Sequence, residues 1–391
     1  MDLDTFSWLL TAARQQVLAE TADTPLTPRN HLHIASQLRQ RLAPEQAQAV
    51  LETVLLRQKA AAKFSGAAAM YFTRAALEQA SGEVIGAYRA QRFARFGAAW
   101  IADLGCGVGG DALALAAHAA VMGVDLDAVR LAMARENVQV YAGDGRFQPL
   151  QADLRQLAPL PVDALFFDPA RRDTHGRRLF SVHEYQPPLS LIDGWRAKVA
   201  ATAVKISPGV DYAELPPDAE VEFISVAGEV KEGVLWFGPL HSGAARRATL
   251  LPGGHTLAYE PGEAVAVTPP QGYLYEPDGA VIRAHLVVEL ARRLDATKIN
   301  AEIAYLTAVS PQPTPFARCF AIEDAFPFQL KRLRRYLRQR GIGRVIIKKR
   351  GAPLEPAWLE QQLRLQGDEE RILFLTHIEG KTAVLVGRPY P

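Results

Sequence analysis

The 391-residue chain holds only two cysteines, Cys106 and Cys319. That excludes a disulfide framework and falls short of a structural zinc site, so no metal is expected. Long hydrophobic runs are missing as well. The longest apolar runs, such as ALALAAHAAVMGV, are rich in alanine, and this one is interrupted by His118, so no membrane partner is expected. The N-terminus, MDLDTFSWLLTAARQQ, has two acids and no basic leader, which argues against a signal peptide. Nor does one sign of charge dominate. The 44 Lys and Arg against 42 Asp and Glu leave +2, which identifies no partner, so a binding signal must come from clustering. The length allows two or three domains and a sizeable core, and a cytoplasmic enzyme or binding protein is the expectation.

Residues 1–96 read as helical. Ala35–Arg57 has helical spacing and is cut in two by Pro44. Lys63–Phe96 mixes aromatics with arginines, including Arg74, Arg89 and Arg92, and reads as a solvated surface or a substrate-facing lid. From Ala99 short apolar runs alternate with helical patterns through AWIADLG, AVMGVDLD, FQPLQADL, VDALFFDP and ATAVKIS. This is the texture of a parallel, doubly wound sheet. VEFISVAGEV and GVLWFGPL suggest a closing hairpin with its turn at Lys231-Glu232-Gly233. A Gly- and Pro-rich stretch of strands and loops follows, and then an amphipathic helix over Gly279–Leu294. The remainder reads β, α, β, α, β, β. The expected divisions are 1–96, 97–241, 242–300 and 301–391.

The stretch ADLGCGVGGD places Gly105, Gly107, Gly109 and Gly110 between a strand and a helix. Such a turn brings backbone N–H groups close to a bound ligand. A dinucleotide site would put pyrophosphate there, but Asp103 and Asp111 would repel it and favour a cation. Asp125 ends the next strand, where a carboxylate accepts from ribose hydroxyls. Asp153 and Asp168 end the following two. Four acids at consecutive strand ends surround one crevice.

As a set, Asp103–Gly109, Asp125, Asp153 and Asp168-Pro169 resemble the motifs of class I S-adenosylmethionine-dependent methyltransferases, over roughly Phe96–Leu240. The resemblance implies a Rossmann-like seven-stranded sheet and S-adenosyl-L-methionine as cofactor. It implies that Asp103, Gly105, Gly107 and Gly109 wrap the methionine part, with Cys106 a small filler. Asp125 and Leu126 would serve the ribose, and Asp153 and Leu154 the adenine.

Phe167-Asp168-Pro169-Ala170-Arg171 stands where enzymes that methylate base amines often carry Asn or Asp, Pro, Pro and an aromatic. Asp168 and Pro169 are kept, whereas Ala170 and Arg171 depart from that pattern and lie closer to Asp-Pro-Pro-Arg variants of some RNA methyltransferases. Covalent attack on pyrimidine carbon needs a nearby cysteine, and this segment has none. A nitrogen acceptor remains. Asp168 would orient it and take its proton, with Pro169 beside it. Arg171 and Arg172 would hold a phosphate.

Lys331–Arg350, KRLRRYLRQRGIGRVIIKKR, has ten basic residues and no acid. On a helix, Lys331, Arg334, Arg335 and Arg338 share a face, and a strand then ends in Lys348-Lys349-Arg350. Dense like charge points to an anionic partner, here RNA. With YLYEPDGAVIRAHLV and YFTRAALEQAS, this tail is similar to a bacterial methyltransferase family with a THUMP-like C-terminal domain. That resemblance implies a small ferredoxin-like α/β domain that binds tRNA or rRNA. Methylation of a protein or small molecule, and a non-catalytic role in binding cofactor and RNA, are the alternatives.

Overall fold

In the computed structural model, residues 1–170, 177 and 179–390 are described. They form two compact units: Met1–Glu220 with Glu232–Gly243, and Val221–Lys231 with Ala244–Pro391.

The first unit opens with α1 (Leu3–Leu9), α2 (Ala12–Ala22), α3 (His31–Arg39), α4 (Pro44–Ala60), α5 (Arg74–Gln79) and α6 (Glu83–Phe96). Pro44 is the first residue of α4, where its missing N–H leaves no bond unmade. Ala47, Val50, Leu51 and Val54 form the buried stripe of that helix. Gly97, at φ 81°, ends α6 in the left-handed region.

The sheet follows as β1 (Trp100–Leu104), α7 (Ala112–Ala116), β2 (Ala120–Asp125), α8 (Ala128–Ala142), β3 (Phe147–Gln151), β4 (Ala164–Phe167), α9 (Ile192–Arg196) and β5 (Ala201–Ile206). The chain continues through β6 (Glu220–Val226) and β7 (Glu229–Phe237). In this unit the strand order is β3-β2-β1-β4-β5-β7. The pairings are parallel up to β5, and β7 runs antiparallel to it. Every residue of β4 and β5 is buried, as expected of parallel strands covered on both faces. The carboxyl ends of β1, β2 and β4 are neighbours, with Leu104 opposite both Val124 and Phe167.

The turn before β7 lies at Ala227-Gly228, not at Lys231-Glu232-Gly233. Both turn residues have positive φ, 51° and 84°, which suits a tight two-residue hairpin. Glu232 therefore lies inside the strand and is buried.

In the second unit β6 pairs in parallel with β8 (Arg246–Leu251), and β9 (His255–Ala258) returns antiparallel. Next come β10 (Tyr273–Pro277), α10 (Gly279–Arg283), α11 (Val287–Arg293), β11 (Thr297–Lys298), β12 (Leu306–Ala308) and β13 (Ala317–Pro327). The chain ends with α12 (Leu330–Gln339), β14 (Ile342–Lys349), α13 (Pro356–Leu363), β15 (Glu369–Ile378) and β16 (Lys381–Pro389). The second sheet has the order β11-β12-β10-β13-β16-β15-β14. Leu333 and Leu337 of α12 and Leu359 of α13 pack on Leu373, Val384 and Val386 of its strands.

The helix expected over Gly279–Leu294 is two helices, broken at His285, whose φ is 55°. Ala284 and Leu286 are both fully buried. In one continuous helix they would face nearly opposite sides, and the break lets both reach the core.

Candidate active site

The loop after β1 is built on glycine at two places for two reasons. Gly105 has φ 81°, and a Cβ there would stand 2.9 Å from the carbonyl oxygen of Asp168. Gly107 has φ 56° with open space around it, so its backbone faces outward unobstructed. Its N–H donates to Asp125 Oδ2 at 2.9 Å, and Asp127 N–H donates to Asp125 Oδ1 at 2.9 Å. Asp125 thereby ties the loop to the end of β2. Cys106 is buried, and burial pushes its thiol well above the usual range, so it is held as the neutral group.

Asp103 lies on β1 beneath this loop and is 1% exposed. Neither carboxylate oxygen has a hydrogen-bond partner among the described residues. Burial, and then the charge of Asp168, push its pKa up to about 7 against the pull of Arg89 and Lys205. A buried acid without a partner is costly unless a ligand completes it. The sulfonium and ammonium groups of S-adenosylmethionine would supply the missing positive charge, and the open glycine loop leaves room for its methionine part. The residues present fit this cofactor.

Asp168, just past β4, is held from two sides. Its N–H donates to Leu104 O at 3.1 Å. Lys205 of β5, with a side chain 2% exposed, places Nζ 2.6 Å from Asp168 Oδ2 and 2.7 Å from Ser81 Oγ. Lys205 Nζ is also 4.0 Å from Glu232 Oε2. Glu232 accepts from Arg89 Nη1 at 2.5 Å, and Arg89 Nη2 donates to Asp111. Acids and bases alternate along one string: Asp168, Lys205, Glu232, Arg89, Asp111.

Asp103, Asp125 and Asp168 are thus gathered at adjacent strand ends. Asp153 stands past β3, where Arg155 engages it through its backbone N–H and its guanidinium at 3.0–3.1 Å. The Arg155 side chain, then its backbone N–H, holds that carboxyl below its usual range. Leu126 is 63% exposed, while Leu154 and Pro169 are buried. Arg171, Arg172 and Asp173 lie outside the described residues.

Sequence reading missed the string behind Asp168. Arg89 appeared as a surface arginine, but it is 2% exposed and neutralises two acids. Its position held a signal, because Ile85, Arg89 and Phe93 fall on the buried stripe of α6. Arg92 likewise turns inward, pairing with Glu220 and donating Nε–H to Leu240 O at 2.6 Å.

The basic run divides in two, a correction to its reading as uncompensated charge. Lys348 pairs with Glu276, and Lys349 Nζ is 2.5 Å from Glu355. Arg344 is 3.5 Å from Glu370, and Arg334 Nε donates to Gln362 O at 2.6 Å. Arg350 packs over the Tyr305 ring at 5.2 Å. On α12, Lys331, Arg335 and Arg338 are exposed and have no carboxylate partner among the described residues.

Cofactor binding is expected to strengthen with pH up to about 7 and then level off, following the raised Asp103. Below that point Asp103 must lose a proton to face a cation, so affinity falls about tenfold per pH unit. Calorimetry from pH 5.5 to 7.5, in buffers of different ionisation enthalpy, would detect proton release on binding at pH 6. Asp103→Asn should abolish that release. A wild-type profile that is flat with pH would remove Asp103 from the cofactor site.

Three families match parts of the chain: "Methyltransferase domain" over residues 101–168, "THUMP domain-like" over 317–389, and a domain of unknown function over 2–60. An uncharacterised S-adenosylmethionine-dependent methyltransferase of Mycobacterium tuberculosis is 34% identical over 345 residues, covering 84% of this chain and 92% of the relative. It appears with the same figures in strains CDC 1551 and H37Rv. A solved structure from Porphyromonas gingivalis W83, assigned provisionally to the methyltransferases, superposes with a TM-score of 0.74 at 22% identity. That superposition covers 94% of this chain and all of the other.

Proposed function

The chain belongs to the S-adenosylmethionine-dependent methyltransferases, with a THUMP-like C-terminal domain, and from that premise we propose that it methylates a nitrogen of a nucleotide in tRNA or rRNA. The observation that carries the acceptor chemistry is the Asp168–Lys205 pair at the end of β4. Bound S-adenosylmethionine supplies a methyl group on a sulfonium sulfur. Asp103 faces its positive charge, and Gly107 leaves room for its methionine part, while Gly105 and Gly109 let the loop close against Asp168 and Ala134. Asp125 accepts from the ribose hydroxyls through lone pairs not used by Gly107 and Asp127. Leu126, Asp153 and Leu154 border the adenine.

Asp168 accepts a hydrogen bond from the nitrogen that is to be methylated and takes its proton. Lys205 fixes the carboxylate through a charge-assisted hydrogen bond at 2.6 Å. Pro169 borders the acceptor. Methyl transfer from sulfonium is an in-line displacement, so holding the nitrogen in line supplies much of the rate. The support for RNA is the THUMP-like match together with the exposed cations of α12. Lys331, Arg335 and Arg338 contact phosphates there, with Arg334 on the same helix and Lys349 on the same side of the sheet, whereas Lys348 and Arg350 lie over Phe320 and Tyr305 on the opposite side. The reaction takes place in the cytoplasm, where tRNA and rRNA are modified.

Incubating the purified chain with tritiated S-adenosylmethionine and RNA, protein and metabolite fractions from cells lacking the gene tests this reading. Label should enter RNA, and digestion to nucleosides would name the base. Replacing Lys331, Arg335 and Arg338 by glutamate should weaken RNA binding at least tenfold and lower the log–log salt slope by roughly 2 to 3. Cofactor affinity should stay unchanged. Label confined to protein or metabolites would overturn RNA as the acceptor. Cofactor binding without label in any fraction would point to the non-catalytic alternative.

A further inference from the structure

In the second sheet, β14 is the end strand and β10 lies four positions away. Yet Lys348 of β14 pairs with Glu276 of β10 and sits 5.3 Å over the ring of Phe320 on β13. Twist accumulating across the intervening strands lets a side chain of β14 reach one of β10. Beside this clasp opens a cleft of about 570 Å³, lined within the second unit alone.

The charges in this cleft do not cancel. Lys348 and Glu276 neutralise one another. Asp278 accepts from Ala280 N–H at 2.8 Å, capping α10. Arg318 at the start of β13 and Arg350 just past β14 also line the cleft, and neither has a carboxylate partner among the described residues. His255 stands at the start of β9, on the same cleft. Two guanidinium forks free of carboxylates suit an oxyanion that can accept paired hydrogen bonds. Gly228 keeps the turn clear of one fork, since a Cβ there would lie 3.4 Å from Arg318 Nη2.

The rest of the lining is apolar, including Leu250, Pro277 and Pro315. A small inorganic anion would leave that wall bare. The cleft volume falls within the roughly 300–1,000 Å³ of small-molecule sites. A ligand with a phosphate at one end and a flat apolar body at the other meets both halves.

We propose that this cleft binds a nucleoside monophosphate group, with the phosphate on Arg318 and Arg350 and the base against Leu250 and Pro315. Asp278 is placed to accept from a ribose hydroxyl. The same chemistry has two sources, a free nucleotide and the phosphorylated end of a nucleic-acid strand.

The test titrates the full chain by calorimetry with the methyltransferase site saturated by S-adenosylhomocysteine, so that adenine cannot bind there. The probes are AMP, adenosine, and one short single-stranded RNA with and without a 5′-terminal phosphate. AMP should bind at least tenfold more tightly than adenosine, or the phosphorylated strand more tightly than its unphosphorylated twin. Whichever preference appears identifies the source. The preference should disappear in Arg318→Gln and in Arg318→Gln/Arg350→Gln. Arg318 is exposed, so the single variant should melt as the parent does. The absence of any preference for the phosphate, or a preference that survives both variants, would overturn the assignment. No methyl transfer enters these readouts, so they stand whether or not RNA is the acceptor.

Discussion

Asp168→Ala is expected to lower methyl transfer by roughly a thousandfold, within the range for loss of a positioned base, while cofactor affinity stays within a few-fold. Its side chain is 20% exposed at the end of β4, open enough to meet an acceptor, whereas the Lys205 that grips it is 2% exposed. Only the carboxylate is removed. The backbone contacts of Asp168 with Leu104 and beside Gly105 remain. The variant carries a second signature. Asp168 is the charge that most raises Asp103 after burial itself, and Lys205 pulls the other way. Removing the one and freeing the other lowers the pKa of Asp103. The pH at which cofactor binding levels off should therefore move below that of the parent. Single-turnover transfer and calorimetry on the same preparation measure both effects. If cofactor binding collapses while the melting temperature holds, Asp168 is a cofactor ligand and its role toward the acceptor falls.

The strand ends were legible because parallel, doubly covered strands are written as short apolar runs, and an aspartate after such a run is conspicuous. WIADL, VMGVD and ALFFD carry both features in adjacent residues. The β, α, β, α, β, β order after Ala317 could be read for the same reason, since each element has its own period. What could not be read depends on distant partners. Lys348 finds Glu276 across 72 positions of sequence, so a run without internal acids is still partly neutralised. Glu232 looked like a turn residue because Lys-Glu-Gly is locally a good turn, but Ala227-Gly228 is reached first and takes the positive φ values. The break at His285 follows from the burial of Ala284 and Leu286, which no helical period encodes.

Arg89→Met tests the string behind the site and should have the largest effect on stability. Arg89 is 2% exposed, bonds both Asp111 and Glu232, and lies 4.8 Å over the Phe166 ring. Methionine fills much of the volume but takes the guanidinium from two buried carboxylates, leaving Asp111 with Ser81 Oγ at 3.3 Å and Glu232 with Lys205 at 4.0 Å. Breaking a buried pair from one side costs about 3–5 kcal/mol. The exposed pair Arg41–Glu20, at 3.3 Å with side chains 63% and 44% exposed, is the contrast: Arg41→Ala should cost less than about 1 kcal/mol. Denaturant unfolding of the three proteins measures this. Arg89→Met/Glu232→Gln should recover part of the loss, because one stranded charge is gone. A single variant within about 1 kcal/mol of the parent at pH 7.5 would mean that the string is not paired. Lys205 would then hold Asp168 without support from behind.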